Sequence, residues 1–65
     1  MLIDNIVEID SPIYCEAQYQ GCDELVVVLH NGKCFVVPDV SEKEFVKLQK
    51  HPTHDTIVAI IKSHA

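Results

Sequence analysis

The most reactive side chains of this chain are three cysteines (Cys15, Cys22, Cys34) and four histidines (His30, His51, His54, His64). The cysteines are odd in number and match no zinc or redox spacing, so they read as free thiols. Cys15 and Cys34 fall in apolar runs, where cysteine acts as a small hydrophobe, whereas Cys22 falls in a turn and is the thiol expected to react. His51, His54 and Asp55 are close enough in sequence to share an ion. Pro52 separates the histidines, however, and neither Cys-x-x-Cys nor His-Glu-x-x-His accompanies them, so a solvated loop is the better reading. His30 reads as exposed beside a turn and His64 as part of a frayed end. A nucleophilic Cys34 would need a base and an oxyanion site, and a nucleophilic Ser41 would have to leave a helix cap. A chain this short also has difficulty enclosing a pocket of several hundred Å³. The expectation is a protein that is not an enzyme, with no catalytic residue, metal or cofactor.

The carboxylates carry a stronger signal. Residues 1–32 hold six of them (Asp4, Glu8, Asp10, Glu16, Asp23, Glu24) and no lysine, residues 33–65 hold four against five lysines, and arginine is absent. Nucleic-acid binding draws on clustered Arg and Lys to displace counterions, so this composition disfavours direct contact with RNA or DNA. Lys43, Lys47 and Lys50 recur at i, i+4 and i+7, but Glu42 and Glu44 dilute the stripe into a solvated helix face. The plain account of the acidic half is solubility. The sharper one gathers Asp4, Glu8, Asp10, Glu16, Asp23 and Glu24 on one edge that presents spaced negative charge to a basic partner. Such an edge would imitate a phosphate backbone, as in small acidic phage inhibitors of the anti-CRISPR kind, by analogy.

These groups must be positioned by a single small domain, since 65 residues are near the lower limit for a self-sufficient core. The longest apolar runs, Leu25 to Leu29 and Ile57 to Ile61, are too short to span a bilayer. The start Met-Leu-Ile-Asp lacks a basic, apolar leader pattern, so the expected location is the cytoplasm. Residues 2–9 read as a short strand or extended arm, ended by Asp10-Ser11-Pro12. Residues 13–19 alternate as a half-buried strand, Glu24 to His30 is apolar on both sides, and Asn31-Gly32 predicts a two-residue type I′ hairpin into a third apolar strand that Pro38 ends. That loop places Val28 opposite Phe35 and Val27 opposite Val36. Val26, Val28, Phe35 and Val37 then form the core face with Ala17 and Cys15, and Tyr14, Leu25, Val27, Leu29 and Val36 form a second apolar face. Ser41-Glu42-Lys43-Glu44 is a capping box that starts a helix with Phe45 and Leu48 inward. His51-Pro52 stops it, and Thr53 can cap a second short helix in which Ile57, Ile60 and Ile61 share a face, although residues 56–61 also read as a strand by composition.

From Ser11 onward the order of features resembles the KTSC domain, a short family found alone in bacterial and phage proteins and appended to some lysyl-tRNA synthetases. The matching residues are Ser11 with Ile13, Tyr19 before the first turn, Leu25-x-Val27, Gly32, and Asp39-Val40 leading into Glu42, Phe45 and Leu48, then Pro52-Thr53. The family's Tyr-x-Tyr is Phe35-Val36-Val37 here, and no glycine follows the helix near Asp55. The resemblance implies a bacterial or phage-infected host cell and carries a suggested RNA-binding role. Phe35 in a strand reads more simply as packing than as a base-stacking platform.

The expectation is therefore an α+β domain, with an antiparallel sheet of three or four strands packed on one face by a capped helix and followed by a short C-terminal helix. Its expected role is non-enzymatic binding of a protein partner with a basic surface, through the acidic edge and the Tyr14, Leu25, Val27, Leu29 and Val36 face. The alternatives are the RNA binding suggested for KTSC-like domains and a homodimer closed through the Val27 face.

Overall fold

A computed structural model describes residues 5–64, so Asp4 of the expected acidic edge lies outside the described residues. The chain forms β1 (Ile6–Glu8), β2 (Tyr14–Gln20), β3 (Glu24–Leu29), β4 (Cys34–Val37), α1 (Glu42–Lys50) and α2 (His54–Ser63). The four strands make an antiparallel meander in the order β1-β2-β3-β4. This is the expected α+β arrangement, with both helices on one face of the sheet. Ala17, Tyr19, Leu25, Val27 and Val37 from the strands share one core with Phe45 and Leu48 of α1 and with Ile57 and Ile60 of α2.

The β3/β4 loop differs from the expectation by one residue, and the cause is backbone conformation. In the β3/β4 loop the Gly32 amide donates to the Leu29 carbonyl (3.1 Å) and the Leu29 amide donates to the Lys33 carbonyl (2.8 Å). Gly32 alone in this loop takes positive φ, at 90°. Asn31 does not, so a type I′ turn is ruled out. The connection is instead a three-residue loop, the arrangement in which a left-handed glycine follows a type I turn. In the β2/β3 loop Asp23 takes the left-handed place with φ 60°, and Gln20 pairs with Glu24.

The resulting register opposes Val27 to Phe35 and Ala17, and Leu25 to Val37 and Tyr19. β2 and β4 keep their expected core faces over these residues, whereas β3 is inverted. Leu25 and Val27 are fully buried and face the helices, while Val26 and Val28 face away. Alternation could not settle this point, because β3 is apolar at almost every position and either phase buries a valine row.

The helices form as their sequences require. Ser41 accepts from the Glu44 amide while Glu44 reaches back to the Ser41 amide, completing the capping box, and Lys47 and Lys50 fall at the negative end of α1. Thr53 accepts from the Thr56 amide to start α2, which buries Ile57 and Ile60. Between β4 and α1, Pro38 and a left-handed Asp39 (φ 61°) turn the chain, and the Val40 amide donates to the Asp23 carbonyl at 2.9 Å.

Candidate functional site

Ser11 and His54 meet, with Ser11 Oγ 2.7 Å from His54 Nδ1. The same oxygen accepts from the amides of Ile13 and Tyr14 at 3.1 Å each, so both lone pairs are occupied and its proton is directed at the imidazole. A serine held this way ties the β1/β2 loop to the start of α2. Around it the Asp10 amide donates to the Pro52 carbonyl and the His54 amide to the Asp10 carbonyl. Nε2 of His30 lies 2.9 Å from the Ser11 carbonyl. Tyr14 stacks on His54, with ring centroids 5.9 Å apart.

That stacking corrects the expected place of Tyr14. The register shifts between Tyr14 and Glu16, and this bulge turns Tyr14 to the helix side, where it also meets Phe35 edge-on. His51 caps α1 and is exposed, and His54 is engaged with Ser11, so the two do not converge with Asp55 on a shared point. His64 belongs to no frayed end: its Nε2 lies 2.7 Å from Oε2 of Glu44, tying the end of α2 to the start of α1. Burial works to raise the Glu44 carboxyl, but the His64 contact and the Ser41 cap outweigh it and hold the group below the ordinary carboxylate value. An open groove of about 410 Å³ runs beside this pair, lined by Lys47, His51, Asp55, Thr56 and Ala59 among others. It mixes both signs of charge.

The expected acidic set does not gather on one edge. Register places Glu8, Glu16 and Glu24 on the face of the sheet opposite the helices. Asp10 sits in the β1/β2 loop, its backbone bridged to Thr53, and Asp23 sits in a turn where its Oδ1 accepts from the Tyr19 hydroxyl at 2.9 Å. Burial first, and then that bond, raise the Tyr19 hydroxyl above its ordinary value. The expected apolar face is corrected more deeply. Leu25 and Val27 are the centre of the core, Leu29 and Tyr14 are half-buried, and only Val36 lies on the open face. For Leu25, Val27 and Leu29 the reason is the one-residue slip of β3, and for Tyr14 it is the bulge.

The open face can be read across the strands. One row is Ile6, Gln18, Val26 and Val36, and the next is Glu8, Glu16, Val28 and Cys34. Ile6 and Val36 are 42% and 52% exposed, against no exposure for Leu25 and Val27, so one side of the sheet has no cover among the described residues. No family model, no curated protein and no solved structure matches this chain. What the face can bind therefore follows from its own chemistry. None of the four strands holds a lysine, and Glu8, Glu16 and Glu24 are the charged residues that the strands place on it. Glu8 and Glu16 stand directly opposite each other, an arrangement that works against pairing of β1 with β2.

Cys15 and Cys34 lie in β2 and β4 and Cys22 in a turn, as expected. Cys34 is exposed on the same open face, and Cys15 is half-buried beside the β2 bulge. Cys22 is exposed, yet its Sγ donates to Glu24 Oε1 at 3.2 Å. That bond to a carboxylate, followed by partial burial, raises the Cys22 thiol, so its reactive thiolate is disfavoured. The open row and the sign of its charge are legible in the sequence, but which valines form the row depends on loop backbone angles.

Proposed function

We propose that this chain is a non-enzymatic protein-binding module whose open sheet face docks a partner with a basic, partly apolar surface. One observation carries the reading: the like-charged Glu8/Glu16 pair lies beside an uncovered apolar row of Ile6, Val26 and Val36, without a compensating lysine on any strand. Opposed glutamates cost the sheet stability, and a local rule broken without local gain is the usual mark of a functional position. Apolar residues on the partner would cover the valine row while its lysines or arginines neutralise the carboxylates. A groove that normally holds nucleic acid has that chemistry, so the module suits inhibition by competition with phosphate.

The test uses the chain immobilised against lysate, with wild type beside Glu16→Lys. Reversing Glu16 removes the repulsion with Glu8, so the variant is expected to be more stable by about 0.2–1 kcal/mol in urea titration while losing the partner. Elution of the partner by added salt is part of the expectation. A partner retained equally by Glu16→Lys and unaffected by salt would end this reading.

A further inference from the structure

Antiparallel ladders alternate between residues whose amide and carbonyl point into the pair and residues whose groups point out of it. The bond from the Leu29 amide to the Lys33 carbonyl fixes the phase of that alternation in the β3/β4 hairpin. Followed along the register, Phe35 and Val37 bond to β3, and Cys34 and Val36 turn their N–H and C=O groups away from the sheet. β4 is the last strand in the order, so among the described elements no strand meets these groups. Edge strands are commonly blunted by charge, proline or a bulge. β4 is short and is flanked by Lys33 and Pro38, but within Cys-Phe-Val-Val there is no charge, proline or bulge: its first three residues are exposed, and its pairing with β3 has no break. Glu8 and Glu16 belong to β1 and β2, toward the other edge.

From this edge we infer a second interaction surface, separate from the open face, on which another copy of this chain adds its own β4 antiparallel about a twofold axis at Phe35. Symmetry and the outward groups select the register. With Phe35 opposite Phe35, Cys34 faces Val36 of the second copy and Val36 faces Cys34, each pair exchanging two hydrogen bonds. Setting Cys34 opposite Cys34 would instead place Val36 against the Gly32 turn. Setting Val36 opposite Val36 would place Cys34 against Pro38, which has no N–H to give. In the selected register the two Phe35 rings meet on the helix side, where paired aromatics are favourable. The open faces of the two copies become one continuous surface.

Four-residue strands bury less than a standard interface, so the association is expected to be weak, with a Kd roughly in the micromolar range or above. Each copy carries a formal charge of −5, so dimerisation strengthens with salt, the opposite of the behaviour expected for a basic partner. Failure of one reading is thereby distinguishable from failure of the other.

Sedimentation velocity over a concentration series is the first measurement, comparing wild type with Val36→Pro. The Val36 amide points outward, so proline there removes a bond to the second copy and none within the hairpin. Wild type is expected to show a dimer fraction that grows with concentration, and Val36→Pro to remain monomeric with an unchanged circular dichroism spectrum. The second measurement is oxidative cross-linking of Phe35→Cys in a Cys15→Ser, Cys22→Ser, Cys34→Ser background. A non-hydrogen-bonded pair sets its Cα atoms about 4.5 Å apart, within disulfide reach, so linked dimers are expected. Ala59→Cys, exposed on α2, is expected to stay unlinked in the same background. If Val36→Pro unfolds, the cross-link decides: linked chains support the edge and unlinked chains overturn it. A wild type that stays monomeric up to about 1 mM overturns it as well, as does a dimer that survives Val36→Pro and leaves Phe35→Cys unlinked.

Discussion

Glu44 shows how much a single side chain can hold in a domain this small. One oxygen completes the capping box with Ser41, and the other meets His64 at 2.7 Å, so the start of α1 and the end of α2 depend on the same carboxylate. Burial alone would raise this group, but its partners lower it below the ordinary value of 4.5. The unfolded chain therefore binds the proton more tightly than the folded one. The stability Glu44 contributes is complete above the ordinary value and is lost as pH falls through the lower, folded value. Acid titration followed by circular dichroism should show Glu44→Gln less stable than wild type at neutral pH, with the difference shrinking below pH 4.5. A difference independent of pH would mean that Glu44 acts through packing alone.

At the scale of elements, the loops decide more than the strands do. Ser11 pins the β1/β2 loop to the start of α2 with two accepted amide bonds and one to His54, while the Asp10 backbone bridges Thr53. Ser11→Ala leaves those amides without their acceptor and should cost about 1–3 kcal/mol in urea denaturation. A loss well under that range would mean that water replaces the hydroxyl. The turns have the same importance, since Gly32 and Asp23 in left-handed conformation set both hairpin registers. Asparagine followed by glycine suits a two-residue turn and also a three-residue loop with glycine last, and the sequence Asn31-Gly32 contains nothing to separate them.

The whole molecule is a sheet with helices on one side. Its core is fixed by β3, where Leu25 and Val27 are buried and Val26 and Val28 are not. Leu25→Ala should cost about 2–5 kcal/mol, a large share of the roughly 5–15 kcal/mol that holds a typical domain together. Val26→Thr, on the open face, should change stability by about 0.5 kcal/mol or less. Urea denaturation of the two variants reads the register directly, and the reverse order of losses would put β3 back in the opposite phase. Seen at this scale, the carboxylates are not one edge. Glu8, Glu16 and Glu24 lie on the open face, and Asp10 and Asp23 are committed to loops that hold the sheet to its helices.

By itself the sequence determined the three strands β2 to β4, the Ser41 capping box, the first helix with Phe45 and Leu48 inward, and the acidic character of the strands, while it left residues 2–9 between strand and arm and residues 56–61 between helix and strand. Each of these depends on neighbours within a turn or two of chain, where propensity and periodicity act. Tertiary structure decided the phase of β3, the burial of Leu25 and Val27, the turning of Tyr14 against His54, and the pairing of Glu44 with His64. Those depend on single backbone angles in loops and on groups far apart in the chain. In a strand apolar on both sides, one residue of slip exchanges core for surface while the sequence pattern stays the same.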